Sequence, residues 1–231
     1  MSLTPSESPF SDARTVARYA EGPPRIVPGF TDMQRMTALL LAERVPEKGR
    51  VLVVGAGGGL ELQTFAQAHS SWTFDGVDPS SEMIRLAEQT LGPLASRVRL
   101  YQGEVDIAPE GPFDAATCLL TMHFIELEER RRVAVEIRRR LRPGSPFVVV
   151  HLSIPHYEDA GERSRWLSRY AAFAVSSGIA PQNADTARAM IESRLKILTP
   201  EHDEAVLREA GFSNVSLFYA GFSFRGWVAY A

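Results

Sequence analysis

Cysteine is almost missing from this chain. Cys118 is the single one in 231 residues, so no internal disulfide can form and packing alone must hold the fold. That scarcity suits a reducing compartment. Cys118 lies in the apolar run Ala115 to Leu120, which points to a buried packing role and not a reactive one. Lysine is nearly missing too: Lys48 and Lys196 stand among many arginines, a bias of composition with no functional message. No apolar run approaches the roughly 20 residues of a membrane span, and the N-terminus carries no apolar signal segment. The expectation is therefore a cytoplasmic protein with no membrane contact. A positive surplus is also lacking, since the formal net charge is −3, and this argues against a general electrostatic grip on DNA or RNA. Internal repeats and low-complexity segments are absent as well.

What is present reads as one α/β domain with an insertion. Apolar runs bounded by turn residues predict strands at 51–54, 72–77, 97–101, 113–120 and 146–152. Helical segments fall between them near 60–68, 80–90 and 126–141. Alternation at this spacing implies right-handed crossovers and a parallel sheet with helices on both faces. Upstream, Met1 to Ser11 reads as a tail and Asp12 to Tyr19 as a helix broken by Glu21-Gly22-Pro23-Pro24. Asp32 to Arg44 carries apolar residues at Met33, Met36, Leu39, Leu40 and Leu41, which suits a helix packed on the sheet. We therefore divide the chain into an N-terminal tail and cap helices (1–45) and a main domain (46–231). Residues 155–198, with Tyr157, Trp166, Tyr170 and Phe173, break the rhythm as a helical insertion placed like a lid. Glu201 to Ala210 follows as a helix with Thr199 as N-cap and Pro200 at its first position. Asn214 to Tyr219 and Phe222 to Tyr230 then read as strands separated by Ala220-Gly221, a gap that permits only an antiparallel hairpin.

The segment with the most chemistry in it is Val51-Leu52-Val53-Val54-Gly55-Ala56-Gly57-Gly58-Gly59-Leu60. A buried strand that ends in glycines and opens a helix lets backbone approach a polar ligand and offers it free N–H groups. Asp78 closes the next strand at about the offset where a carboxylate meets a ribose diol. Together they indicate a nucleoside-containing cofactor. A nicotinamide site would place its third glycine where Leu60 stands, and no Tyr is followed by Lys four residues on.

The Gly-x-Gly-x-Gly form, the acidic end of strand two and the terminal hairpin resemble class I S-adenosylmethionine-dependent methyltransferases. Asp78-Pro79-Ser80-Ser81-Glu82-Met83, Gly103-Glu104-Val105, Leu141-Arg142-Pro143-Gly144 and Ala210-Gly211-Phe212 resemble further segments of that family. The resemblance implies a seven-stranded, mostly parallel Rossmann-like sheet of order 3-2-1-4-5-7-6. It implies a cofactor site at Gly55, Ala56, Gly57, Asp78, Pro79, Met83, Gly103, Glu104, Val105 and Leu119, and it implies S-adenosylhomocysteine as product. Asp78 would hold the ribose hydroxyls, while Met83, Glu104 and Val105 would lie at the adenine.

Val27-Pro28-Gly29-Phe30 and Leu41-Ala42-Glu43-Arg44 are similar to the carboxy-S-adenosylmethionine synthases of wobble-uridine tRNA modification. That likeness implies Phe30 near the cofactor's methionine end, and it implies a homodimer. Two positions depart from it. Met190 stands where that family has its carboxylate-binding arginine, with Arg188 and Arg194 out of register, and Leu119 stands where it has asparagine. An unpaired carboxylate in a closed site would cost several kcal/mol, so ordinary S-adenosylmethionine is expected. The acceptor is expected to be a small molecule enclosed by residues 12–45 and 155–198. A carboxy-S-adenosylmethionine synthase and a non-catalytic cofactor-binding subunit stand as alternatives.

Methyl transfer from a sulfonium needs alignment more than proton chemistry, and no catalytic base is assigned. His123, after strand four, and Tyr157 are candidates for the substrate pocket; His151 reads as structural. No metal site is expected. The arginines between Arg130 and Arg142 read as a solvated helix face balanced by Glu126, Glu128, Glu129 and Glu136.

Overall fold

A computed structural model describes residues 19–231. The expected tail over Met1 to Ser11, and all of the expected Asp12 to Tyr19 helix but its last residue, lie outside the described residues. Five strands run parallel: β1 (Arg50–Val54), β2 (Thr73–Asp78), β3 (Val98–Gln102), β4 (Ala115–Leu119) and β5 (Pro146–Leu152). β6 (Ser213–Gly221) and β7 (Phe224–Tyr230) return as an antiparallel hairpin, with β7 paired to β5. The sheet order is β3-β2-β1-β4-β5-β7-β6, as expected from the family resemblance.

The helices are α1 (Pro23–Ile26), α2 (Phe30–Ala42), α3 (Leu60–Ala68), α4 (Ser81–Leu91), α5 (Leu127–Arg140), α6 (Ala160–Ser176), α7 (Pro181–Arg194) and α8 (Pro200–Glu209). Because side chains alternate along a strand, β1 feeds two cores. Val51 and Val53 join Met33 and Leu41 of α2 and Leu62 and Phe65 of α3 on one face. Leu52 and Val54 join Ala134 and Ile137 of α5 and Leu207 of α8 on the other. All of these apolar side chains are at most 7% exposed. Polar groups lock the register at one edge: Asp75 accepts from Arg50 Nε (2.7 Å) and Tyr101 OH (3.0 Å), tying β1, β2 and β3 through one buried carboxylate.

The sequence places the hairpin turn two residues too early. Its connecting pair is Phe222-Ser223, with Gly221 facing Phe224 across the turn. Tertiary contacts override the glycine signal here. Ser223 Oγ donates to the Trp166 carbonyl (3.0 Å), the Ser153 N–H donates to the Ser223 carbonyl (2.9 Å), and Phe222 meets Phe173 edge-on. Phe222 accepts a φ of +50° to do so.

The insertion forms α6 and α7, which pack on each other, with α6 also packed on α1. The basic helix α5 also differs from expectation. Arg131, Arg132 and Arg139 are paired with surface acids, but Arg130 and Arg140 are each only 1% exposed. They are buried struts and not part of a solvated face.

Candidate cofactor site above the glycine loop

The carboxyl ends of β1, β2, β3 and β4 surround a cavity of about 280 Å³, near the lower bound of ligand-sized pockets. Its floor is the glycine turn. Gly55 has a φ of +73°, and a Cβ there would lie 2.1 Å from Thr121 Oγ1, so only glycine lets the β4 turn close over it. Gly59, with a φ of +80°, starts α3 against α4; a Cβ there would lie 3.0 Å from Ala87 Cα. The third glycine thus lets α3 and α4 pack closely.

Asp78 stands at the tip of β2, 9% exposed. Its Oδ2 accepts from the Gly57 N–H and its Oδ1 from the Ser80 N–H, both at 2.9 Å. Burial pushes its carboxyl above the usual range, and these two amides pull against that rise. Ser80 caps α4 by accepting from the Met83 N–H (3.2 Å), which fixes Met83 over the cavity.

The structure brings Gly55, Gly57, Asp78, Pro79 and Met83 to the cavity wall, and with them Gly103, Glu104, Val105 and Leu119. Two expected residues do not line it. Ala56 is buried in the core beneath the turn, and Phe30 sits 8% exposed in the α2 core. His123 is elsewhere too: its Nδ1 accepts from the Leu152 N–H (3.3 Å), and burial, then His151 and Arg130, hold its pKa well below the ordinary value. Tyr157 is half-buried under the Arg163 guanidinium, 5.4 Å from its ring centroid. His151 is structural, with Nε2 3.0 Å from Asp203 Oδ1.

Sequence reasoning missed Tyr19, Leu120, Thr121, Phe124, Ile125 and Glu129 on the wall. Most follow from the short helical turn Met122–Phe124, which buries His123 and swings its neighbours inward. Leu120 holds a φ of +58° at the rim, a strained conformation for a leucine. Tyr19 carried no signal beyond being an aromatic before a Gly-Pro-Pro break. Helices α6 and α7 contribute nothing to this wall; with α1 they border a separate, wider cavity of about 680 Å³ near Arg25, Tyr170 and Asn183.

Among the described residues, no set of His, Cys, Asp and Glu is arranged to hold a metal, and no helix is long and apolar enough to cross a membrane. Among the described residues, no arginine, lysine or histidine lines the glycine-loop cavity. The lining is of a kind that fits S-adenosylmethionine: a glycine-rich turn, a buried carboxylate at Asp78 suited to a diol, and an apolar slot between Met83, Val105 and Leu119.

A family model described as a methyltransferase domain matches residues 51–144. The chain is 28% identical over 225 residues to the carboxy-S-adenosyl-L-methionine synthase of Chromohalobacter salexigens, covering 95% of this chain and 82% of that protein. It is 24% identical over 206 residues to the synthase of Campylobacter curvus, covering 89% and 87%. Among solved structures, an O-methyltransferase family protein from Burkholderia thailandensis superposes with a TM-score of 0.70 at 16% identity, covering 100% of this chain and 63% of that one. Human N-acetylserotonin methyltransferase in complex with S-adenosylmethionine gives 0.66 at 14% identity, covering 98% and 60%. The chain thus spans about three-fifths of the length of these solved enzymes. Together, the glycine-loop geometry, the sheet order and these matches identify a class I S-adenosylmethionine-dependent methyltransferase domain, matched over residues 51–144, in a chain distantly similar to the carboxy-S-adenosylmethionine synthases.

Proposed function

We propose that the protein transfers a methyl group from S-adenosylmethionine to a small-molecule acceptor. The observation that carries this reading is the convergence of Gly55, Gly57, Asp78, Met83, Glu104 and Leu119 on one cavity. When bound, S-adenosylmethionine supplies a methyl group already activated by its sulfonium, and S-adenosylhomocysteine is left after transfer. The residues of the chain do the positioning. Asp78 offers two carboxylate oxygens to the ribose hydroxyls, and its bond to Gly57 holds the turn in place beneath them. Met83 and Val105 would enclose the adenine, with Glu104 at its edge. Leu119, Thr121 and Phe124 close the β4 side and keep water from the transfer path. Among the described residues no histidine or cysteine lines the wall, and an acceptor that carries its own nucleophilic lone pair needs no base from it.

A carboxylated cofactor is the second reading, favoured by the homologous synthases. It meets an obstacle in this cavity, because among the described residues no cation lines the wall. Met190 packs against the core, and Arg188 reaches Ser168 Oγ at the surface. Mass spectrometry of nucleosides that co-purify with the protein, followed by assay of S-adenosylhomocysteine release on an acceptor panel, tests both. Ordinary S-adenosylmethionine or S-adenosylhomocysteine is expected. A carboxylated nucleoside as the bound species would favour the second reading, and no nucleoside with no turnover would count against both.

A further inference from the structure

Glu61 has no role in the account so far. It is the second residue of α3, directly above Gly59, where the helix N-terminus favours a negative charge. It is only 8% exposed, and its Oε1 has no hydrogen-bond partner among the described residues. The groups that act on it or feel it are Asp78 of β2, Tyr19 of the N-terminal turn and Cys118 of β4. None is a cation. Burial pushes the Glu61 carboxyl well above its usual range, and Asp78 adds to the rise.

A buried carboxyl facing another acid, with one oxygen unanswered, is costly in the free protein. Its neighbours show where an answer can come from. Tyr19 and Asp78 both line the glycine-loop cavity. The Tyr19 ring also covers the turn, since a Cβ on Gly58 would lie 2.9 Å from its Cδ1. Glu61 does not itself line the cavity; it lies in the first turn of α3, directly after the glycine turn that the Tyr19 ring covers.

We propose that Glu61 is the counter-ion for the positive end of the cofactor's methionine portion, losing its proton when that end arrives. The inference rests on the cavity being the S-adenosylmethionine site. Two cations share the required chemistry, the ammonium and the sulfonium. S-adenosylmethionine carries both and S-adenosylhomocysteine only the ammonium, so the two ligands separate them. A carboxylate here also disfavours a second carboxylate on the cofactor, which matches the absence of a wall cation among the described residues.

The test is calorimetric titration of the whole protein with each ligand, between about pH 6 and pH 8, in buffers of different ionisation enthalpy. Proton release on binding is expected, with affinity that tightens as pH rises. Tyr19 and Cys118 are raised by burial and stay neutral in this range, and an Asp78→Asn control separates the remaining neighbour. Glu61→Gln should abolish the release and weaken binding by more than about 30-fold, without lowering the melting temperature of the free protein. Release with both ligands assigns the ammonium; release with S-adenosylmethionine alone assigns the sulfonium. Binding with no proton release in wild type overturns the inference while leaving the cofactor site intact. If neither ligand binds wild type, the cofactor reading fails and the inference fails with it. If Glu61→Gln does not fold, the wild-type release measurement still decides the question.

Discussion

The Gly57 N–H donates to Asp78 Oδ2 at 2.9 Å, joining the glycine turn after β1 to the tip of β2. One carboxylate thus shapes the loop and faces the cavity at once. Asp78→Ala should remove the link and the diol acceptor together, reducing affinity for S-adenosylhomocysteine by about 10- to 100-fold, as loss of a charged hydrogen bond does. Calorimetry on the variant checks this. Unchanged affinity would place the ligand elsewhere.

Stability should depend on pH through the buried acids, and the sign follows from their shifts. Asp78 and Glu61 both have carboxyls raised in the fold, so the folded state holds their protons more tightly than the unfolded chain does. Their contribution is present at acid pH and is lost as pH rises through the folded-state values. The melting temperature of Glu61→Gln, measured against wild type, should therefore gain as pH rises from about 5 to about 8. A constant offset would contradict this.

Gly59→Ala puts a methyl group about 3 Å from the Ala87 backbone at a φ of +80°. We expect a loss of about 1–3 kcal/mol, read by urea denaturation with an unchanged m-value. A neutral result would mean that α3 and α4 separate easily.

Beneath β5 lies a buried polar group: Arg130, His151 and Asp203, each no more than 4% exposed. Arg130 Nε donates to the Ile125 carbonyl (2.7 Å), and its Nη1 lies 3.8 Å from Asp203 Oδ1. Asp203→Ala strands the guanidinium and should cost about 3–5 kcal/mol, whereas Arg130→Met with Asp203→Leu should recover most of that loss. Denaturation of wild type, Arg130→Met, Asp203→Leu and the double variant gives the coupling directly.

The outer arginines of α5 are already answered. Arg132 pairs with Glu104, Asp106 and Glu129, and Arg139 with Glu110 and Glu136. Fluorescence anisotropy with a tRNA should show only weak binding, Kd above about 10⁻⁴ M at physiological salt. Tight, salt-sensitive binding would contradict the paired face.

The parallel strands and the glycine turn were legible because Val51 to Val54 and Gly55 to Gly59 act through local rules: a buried run, then backbone without side chains. Asp78 was legible for the same reason, since it ends a strand at a set distance from that turn. Tyr19, Thr121 and Phe124 were not, because their approach depends on how separate segments fold back over the turn. His123 shows the converse. A histidine after strand four looks exposed to the pocket, but the turn Met122–Phe124 buries it against β5. Phe222-Ser223 became the hairpin turn through contacts with Trp166 and Phe173 that no local signal in β6 or β7 announces.

The central claim is that the cavity above Gly55–Gly59 holds S-adenosylmethionine. Electron density from crystals grown with S-adenosylhomocysteine tests it most directly. The account predicts the ribose diol on the carboxylate of Asp78, the adenine between Met83 and Val105, and the amino-acid end toward Glu61. Full-occupancy density at another site, or an empty cavity at saturating ligand, would contradict it.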